Sequence, residues 1–160
     1  MPTDITFRLE NTRFNYRVCA IFLYEGKILA MHDARSPYYY LPGGRVQLGE
    51  TAEAAILREA REELGIEAKI ARPLWLCQSF FNEDVERVDY HELCLYFLMD
   101  FSATDLLTRG ACFTRWEGDK RHEFEWLDFA RLEGEYLYPL FIKRAIFHLP
   151  ETLEIRTEYE

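Results

Sequence analysis

GRVQLGETAEAAILREAREELGI, residues 44–66, carries five glutamates, and three of them crowd positions 59–63. The segment from Thr51 to Leu64 reads as a helix, with Gly65 placed to stop it in a left-handed conformation. At about 100° per residue, Ile56, Leu57, Ala60 and Leu64 make one apolar stripe, the expected core face. Glu59, Glu62 and Glu63 fall on an adjacent arc, since positions three and four apart are neighbours on a helix. Ala52 and Ala55 are expected on that same arc, small enough to leave room above it. Near a helix C-terminus the backbone dipole disfavours negative charge, typically by about 0.3–1 kcal/mol per group. Something positive is therefore expected beside these carboxylates.

Two answers compete. Most charged helix faces are simply solvated, and Arg58 can reach Glu62 across one turn. One arginine does not neutralise three carboxylates, however, and Arg61 projects to the opposite side. Clustered hard oxygens suit Mg2+ or Mn2+, which take octahedral oxygen ligands and retain coordination positions for substrate. The residues upstream favour this second answer. Leu41-Pro42-Gly43-Gly44 ends a strand in a turn where two glycines allow a ligand to approach the backbone. Glu50, at the helix start, suits the dipole there.

Working outward, NYRVCAIFLYE (15–25) and KILAMHD (27–33) read as strands joined by a tight turn at Glu25-Gly26. SPYYYLPGG (36–44) supplies a loop with a short aromatic strand. IEAKIARPLWLCQSFFN (66–82) and DYHELCLYFLMD (89–100) read as two long strands joined by an acidic loop, Glu83 to Val88. A loop from Ser102 to Arg121 is expected to lead into a short strand at FEWLDF (124–129). YPLFIKRAIFHL (138–149) has helical spacing at Leu140, Ile142, Ile146 and Phe147, and the charged residues from Glu151 are expected to fray. A mixed sheet with helices packed on it follows. Without repeats or a linker, the 160 residues are expected to form one domain with a core of about 15–149.

Composition narrows the function. No apolar run approaches the roughly 18–20 residues that span a bilayer. The first ten residues lack a signal-peptide pattern, so a cytoplasmic location is expected. Cys19, Cys77, Cys94 and Cys112 are far apart with no C-x-x-C, and read as reduced, mostly core thiols. A formal charge of −9 disfavours tight nonspecific nucleic-acid binding. It leaves room for a small anion approached through a metal ion.

Gly44, Glu50 and the run Arg58-Glu59-Ala60-Arg61-Glu62-Glu63-Leu64-Gly65-Ile66 together resemble the Nudix box of the MutT-like Nudix hydrolases, matching all its defining positions over 23 residues. The resemblance implies an α/β fold, an α/β/α sandwich with a mixed β-sheet. It also implies a metal-dependent nucleotide pyrophosphatase, in which water attacks phosphorus in a nucleoside diphosphate linked to another moiety. Glu59 and Glu63 would then be the principal ligands of Mg2+ or Mn2+, with Glu62 a further ligand or an orienter of water. The Gly43 carbonyl would also touch metal, Glu50 would support the site, and Arg58 would hold the glutamates. A further acidic group is expected downstream: Glu123 foremost as a catalytic candidate, with Glu125 beside it and Glu117 ranked below both.

His91, Phe80 and Phe81 are the substrate-binding candidates from the long strands, and Arg45 joins them from the box itself. His91 titrates near neutrality and could meet a phosphate or ring nitrogen; the phenylalanines could stack a base. No subfamily signature identifies the substrate, because Pro73 lies too close to the box. The sequence is also compatible with a homodimer. The rival readings are a sensing module that binds a nucleotide or nucleotide sugar without cleaving it, and a capped-RNA processing enzyme, which the charge disfavours.

Overall fold

The computed structural model describes residues 2–33, 38–84 and 86–160. Among them the chain runs through β1 (Thr6–Leu9), β2 (Thr12–Ile21), β3 (Leu23–Tyr24), β4 (Lys27–His32) and β5 (Gly43–Arg45) to α1 (Ala52–Leu64). It continues through β6 (Lys69–Glu83), β7 (Val88–Asp100), β8 (Cys112–Glu117), β9 (Lys120–Asp128), α2 (Ile142–Ala145) and β10 (Glu154–Tyr159). β1, β2, β7, β6 and β10 lie side by side in that order, with β5 also paired to β2. The β2–β7 and β6–β10 pairs are parallel and the rest antiparallel, so the sheet is mixed. A second, antiparallel sheet has the order β3, β4, β9, β8.

Alternation along β2 sorts the layers. Val18 and Ala20 pack with Ala52, Ala55, Ile56, Ala60 and Leu64 of α1. Cys19 and Ile21, pointing the other way, pack with Leu132, Phe141, Ile142 and Ile146. The sheet is thus covered by α1 on one face and by the α2 region on the other, the sandwich expected from the sequence.

The segment 15–25, expected as one strand, breaks at Phe22. That ring is fully buried in the α1-side core, and Leu23–Tyr24 crosses into the second sheet. The tight turn forms where expected, with Glu25 (φ 46°) and Gly26 (φ 73°) both left-handed, as a two-residue hairpin requires. β6 and β7 form around the acidic loop; Pro73 is accommodated at a register irregularity, where its missing N–H costs little. Ser36 and Pro37 of the aromatic segment, and Val85 of the acidic loop, lie outside the described residues.

Three expectations are corrected. The segment 102–121 is not one loop, since it contains β8, hairpin-paired with a longer β9 that starts at Lys120. The C-terminal helix is only one turn long: Phe141, Ile142 and Ile146 are buried, whereas Leu140 and Phe147 stay exposed. The residues after Glu151 do not fray but add β10 parallel to β6, Glu154 opposite Trp75 through Tyr159 opposite Phe80. Cys19, Cys77 and Cys94 are buried free thiols, and Cys112 is an exposed one. Among the described residues no helix is long and apolar enough to cross a membrane.

α1 begins where expected. The Thr51 hydroxyl accepts from the Ala54 N–H at 3.0 Å, and Gly65 (φ 65°) donates its N–H to the Arg61 carbonyl. Ala52 and Ala55 lie in the core rather than leaving space on the acidic arc.

Candidate metal and phosphate site

The site is built on β5 and the second half of α1. β5 pairs with β2 so that Gly43 faces Cys19 and Gly44 faces Val18. Both glycines leave room that a side chain would take. A Cβ on Gly43 would lie 2.1 Å from the Val18 carbonyl oxygen, and one on Gly44 would lie 2.2 Å from Oε1 of Glu59. The Gly43 N–H donates to Glu63 Oε1 at 2.8 Å, so the strand holds Glu63 through its amide. Glu63 is only 6% exposed.

Arg58 is the hub of the surrounding polar network. Its Nε and Nη2 grip both oxygens of Glu50, at 2.8 and 3.0 Å. Nη1 donates to Glu59 Oε1 at 2.9 Å and to Glu62 Oε2 at 3.2 Å, while Nη2 also reaches the Arg45 carbonyl at 3.0 Å. Glu50 accepts in addition from the Gln47 N–H. One guanidinium therefore ties the helix start, the acidic arc and the end of β5 together. The Arg58 hydrogen bonds come first among the forces that hold the Glu50 carboxyl below the usual range.

The other two carboxyls go the opposite way. Burial pushes Glu59 up to about 7 despite Arg58, with Glu62 and Glu117 adding repulsion. Burial, then the Glu59 charge, drives Glu63 well above the ordinary value. These groups are poorly stabilised as a pair of anions by the protein alone. A divalent cation would stabilise both. The donor set is all oxygen, as Mg2+ and Mn2+ prefer, and Gly44 leaves the Glu59 carboxylate the space a side chain would fill. Among the described residues no three acidic, cysteine or histidine groups already converge as a metal cage. Arg58 holds one oxygen each of Glu59 and Glu62 and leaves the second oxygen of each outside its grip.

A stability prediction follows. The folded protein holds protons on Glu59 and Glu63 that the unfolded chain releases near pH 4.5, so metal-free stability falls as pH rises from there through about 7. The melting temperature without metal should therefore be lower at pH 8 than at pH 5.5, with Mg2+ or Mn2+ raising it more at pH 8. A melting temperature that ignores both pH and metal over that range would contradict the assignment.

The structure does not bring every expected residue here. Phe124 and Trp126 of β9 belong to the α1-side core, so Glu123 and Glu125 face away from it. Glu123 accepts from the Thr114 hydroxyl at 2.9 Å and pairs with Arg121 at 2.8 Å; Glu125 accepts from the Tyr39 hydroxyl at 2.6 Å. The expected contribution of Glu123 to the glutamate cluster is not met by this geometry. Glu117 instead shares the α1-facing side of the hairpin with Phe113 and raises the carboxyls of both Glu59 and Glu63. Its Oε1 lies 3.1 Å from Nε2 of the buried His122.

Phe80 and His91 contact each other at a tilt, ring centroids 4.5 Å apart, within a row that crosses the sheet through Phe7, Phe14, His91, Phe80 and Tyr159. His91 pairs in register with Phe14, five residues along β2 from the Cys19–Gly43 pair. That is roughly 16 Å at strand rise. Phe81 stacks on Tyr90 at 4.9 Å, one residue over and hence on the opposite face. None of the three adjoins the glutamates. Arg45 does, through its carbonyl bond to Arg58.

Comparison with known proteins agrees with this frame. MutT4 of Mycobacterium tuberculosis is 38% identical over 66 residues, which cover 41% of this chain and 26% of that protein. An ADP-ribose pyrophosphatase of Methanocaldococcus jannaschii is 29% identical over 111 residues, covering 68% of this chain and 58% of the relative. The chain thus spans about a quarter and somewhat over half of these two relatives. A solved MutT protein of Bacillus halodurans superposes with a TM-score of 0.60 at 14% identity, covering 91% of this chain and 89% of that one, a likeness of fold. The NUDIX domain family model matches residues 13–146, which include all of β2 but its first residue, the glycine pair and the whole of α1, and the chain belongs to that family.

Proposed function

We propose that the protein hydrolyses a phosphoanhydride bond in a nucleoside diphosphate linked to another moiety, with Glu59, Glu62 and Glu63 holding Mg2+ or Mn2+. The observation that carries this reading is the buried pair Glu59 and Glu63, seated against the Gly43–Gly44 backbone and only partly neutralised by Arg58. Helix carboxylates raised by burial need a cation, and a diphosphate needs the same cation to accept a nucleophile. Bound there, a divalent ion supplies charge neutralisation for the phosphate oxygens and a more acidic water.

The chain's own residues supply position. The Gly43 N–H fixes one oxygen of Glu63, and Arg58 fixes Glu50 and aligns Glu59 with Glu62. Glu117, held by His122, offers a further carboxylate from the β8–β9 hairpin toward the same cluster. Phosphoryl chemistry asks mainly for such positioning and electrostatics. The Methanocaldococcus relative's name makes ADP-ribose the first substrate to try.

The test is product analysis on a panel of ADP-ribose, sugar nucleotides, dinucleotide cofactors and nucleoside triphosphates. The reading expects phosphate-bearing products with Mg2+ or Mn2+ and none after chelation. Saturable binding of a nucleotide without cleavage would instead favour the sensing module.

A further inference from the structure

Arg17 of β2 and Arg45 of β5 are direct cross-strand partners in an antiparallel pair, so their side chains leave the same face of the sheet. Like charges placed this way destabilise a sheet. Among the described residues Arg45 has one side-chain ion pair, with Asp4 at 3.7 Å, a partly exposed arrangement of little energetic value. Among the described residues nothing accepts a hydrogen bond from the half-buried guanidinium of Arg17 or pairs with it within ion-pair distance. Glu92 is its favourable charge partner and already accepts from the Asn15 amide at 2.8 Å. Burial works against the Arg17 charge, the Glu92 carboxylate offsets it, and the guanidinium stays cationic. Among the described residues its donors are committed to no protein acceptor, and they remain open to an incoming one.

We propose that Arg17 and Arg45 together form an anion clamp that grips a phosphoryl group of the substrate, across the β5 backbone from the metal-holding glutamates. This rests on the reading of the chain as a diphosphate hydrolase and adds the group that selects the substrate's second phosphate. The placement is suitable. Arg45 follows Gly44 directly, and Arg17 precedes Val18, the cross-strand partner of Gly44. A diphosphate lying over the glycine pair would present one phosphoryl group to the glutamates' cation and the other to two planar, multidentate donors. The clamp therefore favours substrates with two adjacent phosphates over monophosphates.

The test is calorimetric binding of inorganic pyrophosphate to the metal-free protein in chelator, comparing wild type with Arg17→Gln, Arg17→Lys and Arg45→Gln. Arg17→Gln should weaken binding by about ten- to a hundredfold, the usual scale for a lost charge-assisted contact. Arg17→Lys should recover only part of it, because an ammonium cannot reproduce the fork. The melting temperature of Arg17→Gln should not fall, since the change removes a like-charge opposition; a purely structural arginine would lower it. Equal pyrophosphate affinity in wild type and Arg17→Gln, or none in wild type, overturns the clamp. Hydrolysis by wild type, measured in parallel, separates the two claims. Turnover with unchanged Arg17→Gln affinity sinks the clamp alone, whereas an arginine-dependent affinity without turnover sinks the hydrolase reading alone.

Discussion

Glu63→Gln should lower metal-dependent turnover by roughly a thousandfold while leaving the fold intact. A divalent ion contributes several kcal/mol of charge stabilisation to a phosphoryl transition state, and each 1.36 kcal/mol is a factor of ten in rate. Gln keeps the carbonyl oxygen that accepts from the Gly43 N–H at 2.8 Å, so the link between β5 and α1 survives. It removes a buried charge whose cost is visible in the raised pKa of Glu63. The metal-free variant should therefore melt no lower than wild type, and its dependence on pH should shrink. Normal turnover in Glu63→Gln would remove Glu63 from the site.

The second large effect separates two neighbouring glycines. Gly43→Ala would drive a Cβ into the Val18 carbonyl oxygen, a backbone atom fixed in the β2–β5 pairing. The strand must shift, which points to a loss of about 3 kcal/mol or more and a melting temperature lower by roughly 6–12 °C. Gly44→Ala meets instead the carboxylate end of Glu59, at 2.2 Å. That side chain can swing away, so stability should change by less than about 1 kcal/mol while turnover falls with the displaced ligand. Thermal melts and assays of the two variants should dissociate accordingly. Equal stability losses would show that the two close approaches are not different in kind.

How much of this was legible in the sequence depended on whether the signal was local. The cap at Thr51, the stop at Gly65 and the arc of Glu59, Glu62 and Glu63 follow from helical period alone, and the structure reproduces them. The long strands β6 and β7 were clear from their apolar and aromatic runs, Leu74-Trp75-Leu76 in one and Leu93 to Met99 in the other. Phe22 was not, because a strand that changes sheets looks continuous when read one residue at a time. The β8 strand was hidden by its polar alternation, Cys-Phe-Thr-Arg-Trp-Glu, which presents few apolar residues to its inner face. β10 has a similar pattern and depends on β6 for its pairing.

For Glu123 the strand period carried a readable signal. The aromatic residues at 124 and 126 already mark one face of β9, and strand alternation then sends 123 and 125 to the other. The same period puts His122 and Glu117 on the face of Phe113 and Phe124. Arg17 offered no such signal. Its interest comes from standing opposite Arg45, and cross-strand register is set by the whole sheet.

The central claim is that divalent cations neutralise the buried glutamates of α1. Titration of Mn2+ into the purified protein, followed by the loss of free-ion paramagnetic resonance signal, reads that occupancy without requiring the substrate to be known. Saturable binding to wild type that is strongly weakened in Glu59→Gln and Glu63→Gln is the predicted result. Binding that is absent even with ADP-ribose present, or unchanged in both variants, would contradict the account.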